Sequence, residues 1–381
     1  MKITGEWIST PSTQKVLHML TSAGHQAYLV GGCVRNALLG QPVADIDIAT
    51  DALPAEVMAL ARGAGLRPIP TGVAHGTVTV LADHIPHEVT TFRRDVETFG
   101  RHATVAFSAL IEEDAARRDF TMNALYARAD GRVLDPLESG LADLVARRLR
   151  FVGAPEDRIR EDYLRILRFF RFTAWYGDPA NGPDPDALAA CATHAEGITT
   201  LSRERIGAEM HKLLTAPDPA PALASMEISG VLAQTLPGAT ARALAPLVHL
   251  EAGLKPDFIR RLAVLGGTGQ IEALRLPTAE VRQLEALQTA TGSLEDAGTL
   301  GYRLGAAAAR DALLVRAALL EMPLPEGWTE AANRGAAARF PISAADLMPA
   351  LQGPALGQRL RDLEARWLAS GFTLTRDELL R

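Results

Sequence analysis

The spacing of apolar residues changes once along the 381-residue chain, near Gly140. Before that point, short apolar or alternating stretches have the pattern of buried and half-buried β-strands. These stretches are 27–30, 45–49, 76–82 and 87–92, with helices predicted at 12–23 and 54–64. After Gly140 the alternation stops, and Ala, Leu and Arg follow helical spacing to the last residue. The sequence therefore predicts an α+β fold, with a small mixed sheet and helices first and an all-helical remainder.

Composition excludes some classes of protein and locates one basic segment. No run of 18 apolar residues is present, so no transmembrane helix is expected, and the first residues lack the pattern of a signal peptide. A cytoplasmic location is the expectation, and the two cysteines are expected to be packed side chains rather than ligands. The net charge of −6 argues against a nucleic-acid partner, yet residues 147–171 carry eight arginines against four acids.

Gly31 and Gly32 follow the first predicted strand and precede a helix. Glycines at such a junction allow close approach of a phosphate, and the N–H groups at a helix start attract anions. Arg35 lies in the first helical turn, where it could pair with a triphosphate. The segment matches neither GxGxxG nor GxxxxGK[ST], so Rossmann and P-loop folds are disfavoured. A tight strand–helix turn without a ligand is the alternative.

Asp45 and Asp47 flank Ile46 in the second predicted strand. Residues i and i+2 of a strand point to the same side, so Ile46 and Ile48 are predicted to face the core while both carboxylates share the other face. Two such carboxylates repel each other unless they are solvated or bridged by a cation, and Mg²⁺ prefers carboxylates together with substrate phosphates. An exposed acidic strand face is the alternative.

Taken together with Leu39-Gly40 and Ala49-Thr50, these two motifs resemble the head of the DNA polymerase β-like nucleotidyltransferases. More narrowly, they resemble the class II tRNA nucleotidyltransferase and bacterial poly(A) polymerase family. Family-like spacing covers about residues 25–215, including a neck helix at Leu201–Leu214. One position departs from the family pattern, because Asn36 stands where many members have Asp.

The resemblance assigns roles to further residues of the head. It implies Glu88 as the third catalytic carboxylate beside Asp45 and Asp47. Residues 117–124, RRDFTMNA, match a family motif at each fixed position and imply nucleotide contacts from Arg118, Asp119 and Asn123, in addition to those from Gly31, Gly32 and Arg35. It also implies that Arg93–Ser108 is a mobile loop whose position helps to switch nucleotide choice.

The segment Glu161–Phe172 is predicted as one amphipathic helix, with Tyr163, Ile166, Leu167 and Phe170 on its packed face. The other side bears nucleotide-selecting residues at every third position, namely Asp162, Arg165, Arg168 and Arg171. The family resemblance implies that the first two form a protein template. The carboxylate accepts from the exocyclic amine of C or A, and the guanidinium donates to ring acceptors. An i,i+3 salt bridge on a helix surface is the structural alternative.

The resemblance implies addition of C, C and A to the 3′ end of tRNA from CTP and ATP, with release of pyrophosphate and with Mg²⁺ held by Asp45 and Asp47. The partner is expected to be the 3′ end and acceptor arm of tRNA, with no membrane partner. A poly(A) polymerase, an enzyme that adds only CC or only A, and a catalytically silent RNA-binding module remain alternatives. The predicted segments are a catalytic head (1–138), a neck with the nucleotide-selecting helix (139–215), a body (216–300) and a tRNA-contacting tail (301–381).

Overall fold

The computed structural model describes residues 1–99, 102–348 and 350–381, and for 95–99 and 102–105 it describes the backbone only. Within these residues, a seven-stranded sheet and a two-stranded hairpin are present. The strands are β1 (Ala27–Val30), β2 (Ile46–Thr50), β3 (Arg67–Gly72), β4 (Thr77–Ala82), β5 (Ile85–Thr91), β6 (Arg93–Phe99), β7 (His102–Phe107), β8 (Tyr126–Ala127) and β9 (Val133–Leu134).

Helices flank the sheet and make up most of the remainder, so the predicted α+β class is confirmed. Up to residue 235 they are α1 (Glu6–Ser9), α2 (Pro11–Ser22), α3 (Gly32–Leu38), α4 (Pro54–Gly63), α5 (Ile111–Ala116), α6 (Gly140–Val145), α7 (Pro155–Glu161), α8 (Leu164–Tyr176), α9 (Pro185–Thr193), α10 (Arg203–Leu214), α11 (Ala220–Ile228) and α12 (Val231–Thr235). Beyond it they are α13 (Leu244–Leu250), α14 (Phe258–Leu265), α15 (Gln270–Leu274), α16 (Thr278–Gly292), α17 (Ala297–Leu304), α18 (Ala306–Leu320), α19 (Trp328–Ala337), α20 (Gly353–Ala369) and α21 (Arg376–Leu380). None of the helices in the described residues is long and apolar enough to cross a bilayer.

The sheet has the strand order β3-β4-β5-β2-β1-β8-β9. β2 and β5 are parallel, and the neighbouring pairs on both sides are antiparallel. Ile46 and Ile48 are buried, as the period of β2 predicts, so the side chains of the alternate positions lie on the opposite face. This arrangement places the carboxylate of Asp47 beside β5 in the middle of the sheet.

Two strand regions differ from the sequence-based prediction. β3 contains Pro68 and Pro70 and is largely exposed, so it carries no alternating apolar signal. The predicted loop at 93–108 instead forms the β6–β7 hairpin, whose backbone pairs from Arg93 with Phe107 to Phe99 with His102. Residues 100 and 101 of this segment lie outside the described residues, and its mobility stays a prediction.

The chain divides into two compact units, one of residues 1–213 with 221–235 and one of residues 214–220 with 236–381. In the second unit, α17 and α19 approach so closely that a Cβ at Gly335 would lie 1.9 Å from the carbonyl oxygen of Gly298. Its interior also holds a buried ion network. The carboxylate of Glu251 accepts from both Arg260 and Arg261, and Arg261 also donates to backbone carbonyls of the 214–217 segment.

Candidate active site

Three carboxylates lie near the N-terminal end of β2. Asp45 is exposed and directly precedes the strand, Asp47 is partly buried, and Glu88 lies beside Asp47 in register on β5. Burial raises the pKa of Asp47 to about 6, the charges of Glu88 and Asp45 add to the rise, and Arg118 opposes it. Like charges so placed favour a bound cation.

The carboxylates do not complete a metal site by themselves. Among the described residues, no three His, Cys, Asp or Glu side chains form a group that could hold an ion. Mg²⁺ is commonly bound through one or two carboxylates, with water and substrate phosphates as further ligands. Asp45 and Asp47 fit such a donor set, and Glu88 stays a predicted third member.

The glycine turn precedes α3 next to these carboxylates. Gly31 has a φ of 71°, which glycine adopts readily, and its N–H donates to the carbonyl of Leu125 at 3.1 Å. That donor is therefore used within the protein rather than pointing at an anion. A Cβ at Gly31 would lie 3.4 Å from Nη1 of Arg118, and one at Gly32 would lie 3.8 Å from Nη2 of Arg35. The turn thus allows two guanidinium groups to approach its backbone.

Arg35 is only 6% exposed. Its Nη1 donates to Oδ1 of Asn123, its Nη2 donates to Tyr176 Oη at 2.8 Å, and its Nε and Nη2 donate to Oδ1 of Asn36 at 3.1 and 2.8 Å. The guanidinium also lies 4.0 Å from the ring centroid of Tyr176. Within the described residues these four bonds use four of its five N–H donors, and the fifth, on Nη1, makes no hydrogen bond. A phosphate contact would use that donor or replace a partner.

Arg118 is held by two buried groups. Its Nη2 donates to Asp114 at 2.9 Å and its Nε donates to Tyr126 Oη at 3.0 Å, while the Tyr126 hydroxyl donates to Asp114 at 2.7 Å. Asp114 also accepts from the backbone N–H of Arg93 at 3.4 Å, where β6 begins. These contacts fix a guanidinium that acts electrostatically on Asp47.

Asp119 and Asn123 link the RRDFTMNA segment to α8. Oδ2 of Asp119 accepts from Nε of Arg168 at 2.8 Å and also from its Nη2. Oδ1 accepts from Nδ2 of Asn123 at 3.0 Å. Both oxygens of Asp119 therefore have protein partners, and a ribose hydroxyl would have to share one of them.

The predicted continuous helix over 161–172 is wrong. α7 ends at Glu161 and α8 begins at Leu164, and Asp162 between them has an extended backbone with φ −156°. Its Oδ1 accepts from the N–H of Leu164 at 3.1 Å, a local contact that competes with helix continuation. Asp162 therefore does not continue the three-residue stripe of Arg165, Arg168 and Arg171, which lie on α8.

Asp162 and Arg165 also form no salt bridge with each other in this structure. Oδ2 of Asp162 accepts from Nη2 of Arg205 on α10 at 2.6 Å. Arg165 instead pairs with Glu161 and donates to the carbonyl of Arg158 at 2.8 Å. The predicted i,i+3 alternative is therefore wrong as well, although the two side chains remain neighbours in sequence around the break between helices.

Three guanidinium groups surround one aromatic ring of α8. Arg35, Arg168 and Arg171 lie 5.0, 5.3 and 4.3 Å from the ring centroid of Phe172. Arg171 forms an ion pair with the buried Glu209 of α10, with Nε 2.7 Å from Oε2. Five of the ten predicted nucleotide-binding residues, Arg35, Asp119, Asn123, Arg168 and Arg171, are thus connected in one cluster between the head and α8.

Two segments of the chain are similar to known protein families. Residues 27–150 match the family described as Poly A polymerase head domain, and residues 183–242 match the one described as Probable RNA and SrmB- binding site of polymerase A. The CCA tRNA nucleotidyltransferase 1, mitochondrial, of Mus musculus is 31% identical over 97% of this chain and 89% of that relative. This chain belongs to the CCA tRNA nucleotidyltransferase family.

The chain is also similar to other members of this family. The CCA-adding enzyme of Lacticaseibacillus paracasei is 43% identical, but the match covers 53% of this chain and only 50% of that protein. The solved Bacillus stearothermophilus CCA-adding enzyme in complex with CTP is 30% identical, with a TM-score of 0.69 over 94% of this chain and 92% of that chain. The Thermotoga maritima enzyme complexed with tRNA, at 18% identity and a TM-score of 0.68, shares the fold.

Sequence reasoning missed several residues that hold this CCA tRNA nucleotidyltransferase site together. Asp114 stands four residues before Arg118, a helical i,i+4 spacing that could have indicated their pairing. Arg205 and Glu209 lie on the same face of α10 by the same spacing, but their partners are more than 35 residues away. No local pattern could have identified those partners.

Proposed function

We propose that this chain adds C, C and A to the 3′ end of tRNA, using CTP and ATP and releasing pyrophosphate. The observation that carries the proposal is the pair of arrangements around β2, with Arg118 acting by its charge on Asp47 and with Asp119 and Asn123 linking Arg35 to Arg168 of α8. A nucleotide bound there would have its triphosphate near Arg118 and Asp47 and its base near the break between α7 and α8. The reaction is then in-line attack of the tRNA 3′-hydroxyl on the α-phosphate, with the bond to pyrophosphate breaking.

Asp45 and Asp47 are the proposed metal ligands, with Glu88 as a third carboxylate close to them. When bound, divalent cations such as Mg²⁺ neutralise the phosphates and activate the attacking hydroxyl. Arg118 stabilises negative charge that develops on the phosphates, because Asp114 and Tyr126 hold it in place before substrate binds. Preorganised donors of this kind avoid the cost of reorganisation during the reaction.

Nucleotide choice is proposed to depend on Asp162 and Arg165. A carboxylate accepts from the exocyclic amine of cytosine or adenine, and a guanidinium donates to the ring acceptors. G and U lack that amine at the equivalent position. Both side chains have protein partners, so a base would share the carboxylate of Asp162 with Arg205 and would replace the contact of Arg165 with Glu161. Arg168 and Arg171 are proposed to contribute further nucleotide contacts.

The four segments predicted from sequence are retained as part of the proposal, with residues 1–138 as the catalytic head, 139–215 as the neck, 216–300 as the body and 301–381 as the tail. The tRNA acceptor arm is the proposed partner of the later segments. The match of residues 183–242 to a probable RNA-binding family supports RNA contact by this part of the chain. A cytoplasmic location is proposed with the function.

The test uses purified protein, Mg²⁺ and each labelled nucleoside triphosphate separately. The acceptors are tRNAs that lack the whole CCA end, lack only the final A, or are complete. Incorporation of C on the first and of A on the second, with none on the third, supports the proposal. The Asp45→Asn variant should be inactive, while Asp83→Asn, at an exposed turn position, should retain activity.

Other results would contradict full CCA addition. Incorporation of A alone on the tRNA that lacks only A would indicate an A-adding enzyme. Incorporation of C alone would indicate a CC-adding enzyme, and unlimited incorporation of A would indicate a poly(A) polymerase. No incorporation of any nucleotide would favour the non-catalytic RNA-binding module.

A further inference from the structure

The partners of Arg35 are all uncharged. The side chains of Asn36, Asn123 and Tyr176 accept its hydrogen bonds. In the part of the chain that the structure describes, no carboxylate forms an ion pair with this residue, although it is only 6% exposed. Buried arginines elsewhere in the molecule differ, because Arg260 and Arg261 both pair with Glu251.

Burial of a cation without a counter-ion is unfavourable. Burial lowers the pKa of Arg35, with a smaller contribution from the charge of Arg171, and the phenol of Tyr176 and the charge of Asp119 oppose this. Asp119 acts on Arg35 without contacting it, because its oxygens accept from Arg168 and Asn123. Arg35 thus has four of its five N–H donors bonded and its charge incompletely balanced, an arrangement that favours binding of an anion.

Asn36 accepts two of the four hydrogen bonds of Arg35 and adds no charge. Its Oδ1 accepts from Nε and Nη2 of Arg35, and its Nδ2 donates to the carbonyl of Pro42 at 2.9 Å. Only the amide oxygen can accept and only the nitrogen can donate, so the two contacts fix the orientation of the amide. Its backbone carbonyl also accepts from the N–H of Gln41 at 2.8 Å. This bond holds the start of the segment that leads to Asp45 against the end of α3. An aspartate could make the contacts to Arg35, but it would neutralise the guanidinium and lose the bond to Pro42.

We propose that Asn36 is a positioning residue that orients Arg35 without neutralising it, so that the full charge of Arg35 acts on the triphosphate of the incoming nucleotide. The inference rests on the proposed function for the identity of its ligand, a nucleoside triphosphate. Asn36 itself does not touch the nucleotide. Its effect is on the affinity for the phosphates and not on the choice of base.

The experiment compares Asn36→Asp with Asn36→Ala. Both variants lose the bond to Pro42. Asn36→Asp keeps an acceptor for Arg35 and adds a negative charge beside it, whereas Asn36→Ala removes the two hydrogen bonds that orient Arg35. Binding of inorganic tripolyphosphate is measured by calorimetry without divalent cations, so that no metal links the ligand to Asp45 and Asp47. We expect Asn36→Asp to weaken binding by about tenfold, the size of one charge-assisted contact, and Asn36→Ala to weaken it by about threefold or more, because Arg35 is then no longer oriented. Binding of cytidine, which has no phosphates, should be equal in all forms.

Kinetics give a second readout. Asn36→Asp should raise the KM for CTP about tenfold with little change in kcat, because the lost interaction is made equally in the ground and transition states. A misfolded variant would instead lose kcat. In an Arg35→Gln background the Asn36→Asp substitution should have no further effect on tripolyphosphate binding, because Asn36 acts through Arg35.

The inference is overturned if the unmodified protein does not bind tripolyphosphate, if either Asn36 variant binds it as tightly as the unmodified protein, or if the effect of Asn36→Asp persists in the Arg35→Gln background. These binding measurements need neither tRNA nor transfer. Failure of CCA addition with the expected binding pattern would therefore reject the proposed function alone. Normal CCA addition without the expected pattern would reject this inference alone.

Discussion

The carboxylate of Asp162 lies 2.6 Å from Nη2 of Arg205, a residue more than 40 positions later in the chain. The residue proposed to recognise the base is thus held by α10, and its neighbour Arg165 is held by Glu161. Both contacts keep the two side chains ordered before a nucleotide binds. The side chain of Asp162 is about one-third exposed, so a base can reach it.

Arg205→Ala should reduce nucleotide discrimination. Removal of this guanidinium frees the carboxylate of Asp162 to adopt other rotamers, so the preference for CTP over UTP should fall by about tenfold, the effect of one charged hydrogen bond. Steady-state kcat/KM for each nucleotide on tRNA lacking CCA measures the ratio. The matched control is Arg203→Ala, an exposed arginine of the same helix, which should leave the ratio unchanged. Equal discrimination in all three proteins would reject the positioning role of Arg205.

Asp47→Asn should abolish transfer and yet stabilise the protein when no metal is present. Asp47 is unfavourably placed because it is buried beside Glu88 and Asp45, and the substitution removes this repulsion. Denaturant unfolding at pH 7 in chelator should show a gain of about 1–2 kcal/mol. The exposed control Asp83→Asn should change stability by less than about 0.5 kcal/mol. A loss of stability in the Asp47 variant would contradict the proposed clustering of charge.

Asp114 should contribute stability that depends on pH. Burial alone would raise the pKa of Asp114, but the charges of Arg118 and Arg117 and the Tyr126 hydroxyl outweigh it and lower the pKa to about 2. A depressed carboxyl pKa gives stability that is present above about pH 4 and is lost as the pH falls towards 2. Unfolding free energies between pH 2.5 and 5 should therefore fall less steeply in Asp114→Asn than in the unmodified protein.

Asp114 and Tyr126, which both contact Arg118, should affect catalysis to different degrees. Asp114→Asn removes the charge that holds Arg118, so kcat/KM should fall by about tenfold to a hundredfold. Tyr126→Phe removes one hydrogen bond while the salt bridge of Asp114 with Arg118 remains, so its loss should be smaller. Equal losses of kcat/KM in both variants would show that the salt bridge between Asp114 and Arg118 contributes no more to catalysis than the hydrogen bond from Tyr126.

Glu251→Gln should destabilise the second compact unit. This carboxylate accepts from two buried guanidinium groups, Arg260 and Arg261, and its neutralisation leaves both with one counter-ion fewer. Breaking a buried pair in this way costs about 3–5 kcal/mol. Calorimetric unfolding should detect this as a lower Tm, whereas Glu321→Gln, which removes an exposed partner of Arg242, should have little effect.

The sequence was sufficient for elements that have a local signal. β1, β2, β4 and β5 were predicted from apolar patterning and are present within about two residues of their predicted ends. The strand β3 was missed because its prolines and exposed residues give no alternation. The carboxylates Asp45 and Asp47 were predicted to share a face, and the burial of Ile46 and Ile48 agrees with that.

The sequence was insufficient where tertiary contacts decide the conformation. Apolar residues before and after Asp162 fit one helix, with no Gly or Pro to mark a break. The break depends on the contact of Asp162 with the N–H of Leu164 and on its partner Arg205, which belongs to a distant helix. In the same way, the burial of Arg35 against α8 depends on Tyr176, which no spacing rule connects to it.

The most direct test is to supply tRNA lacking its CCA end with all four nucleoside triphosphates at equal concentration and to sequence the added 3′ tails. CCA addition predicts tails of C, then C, then A, with no further growth after long incubation. Tails of another sequence, tails that end after CC, or tails that continue to grow would contradict the proposed function.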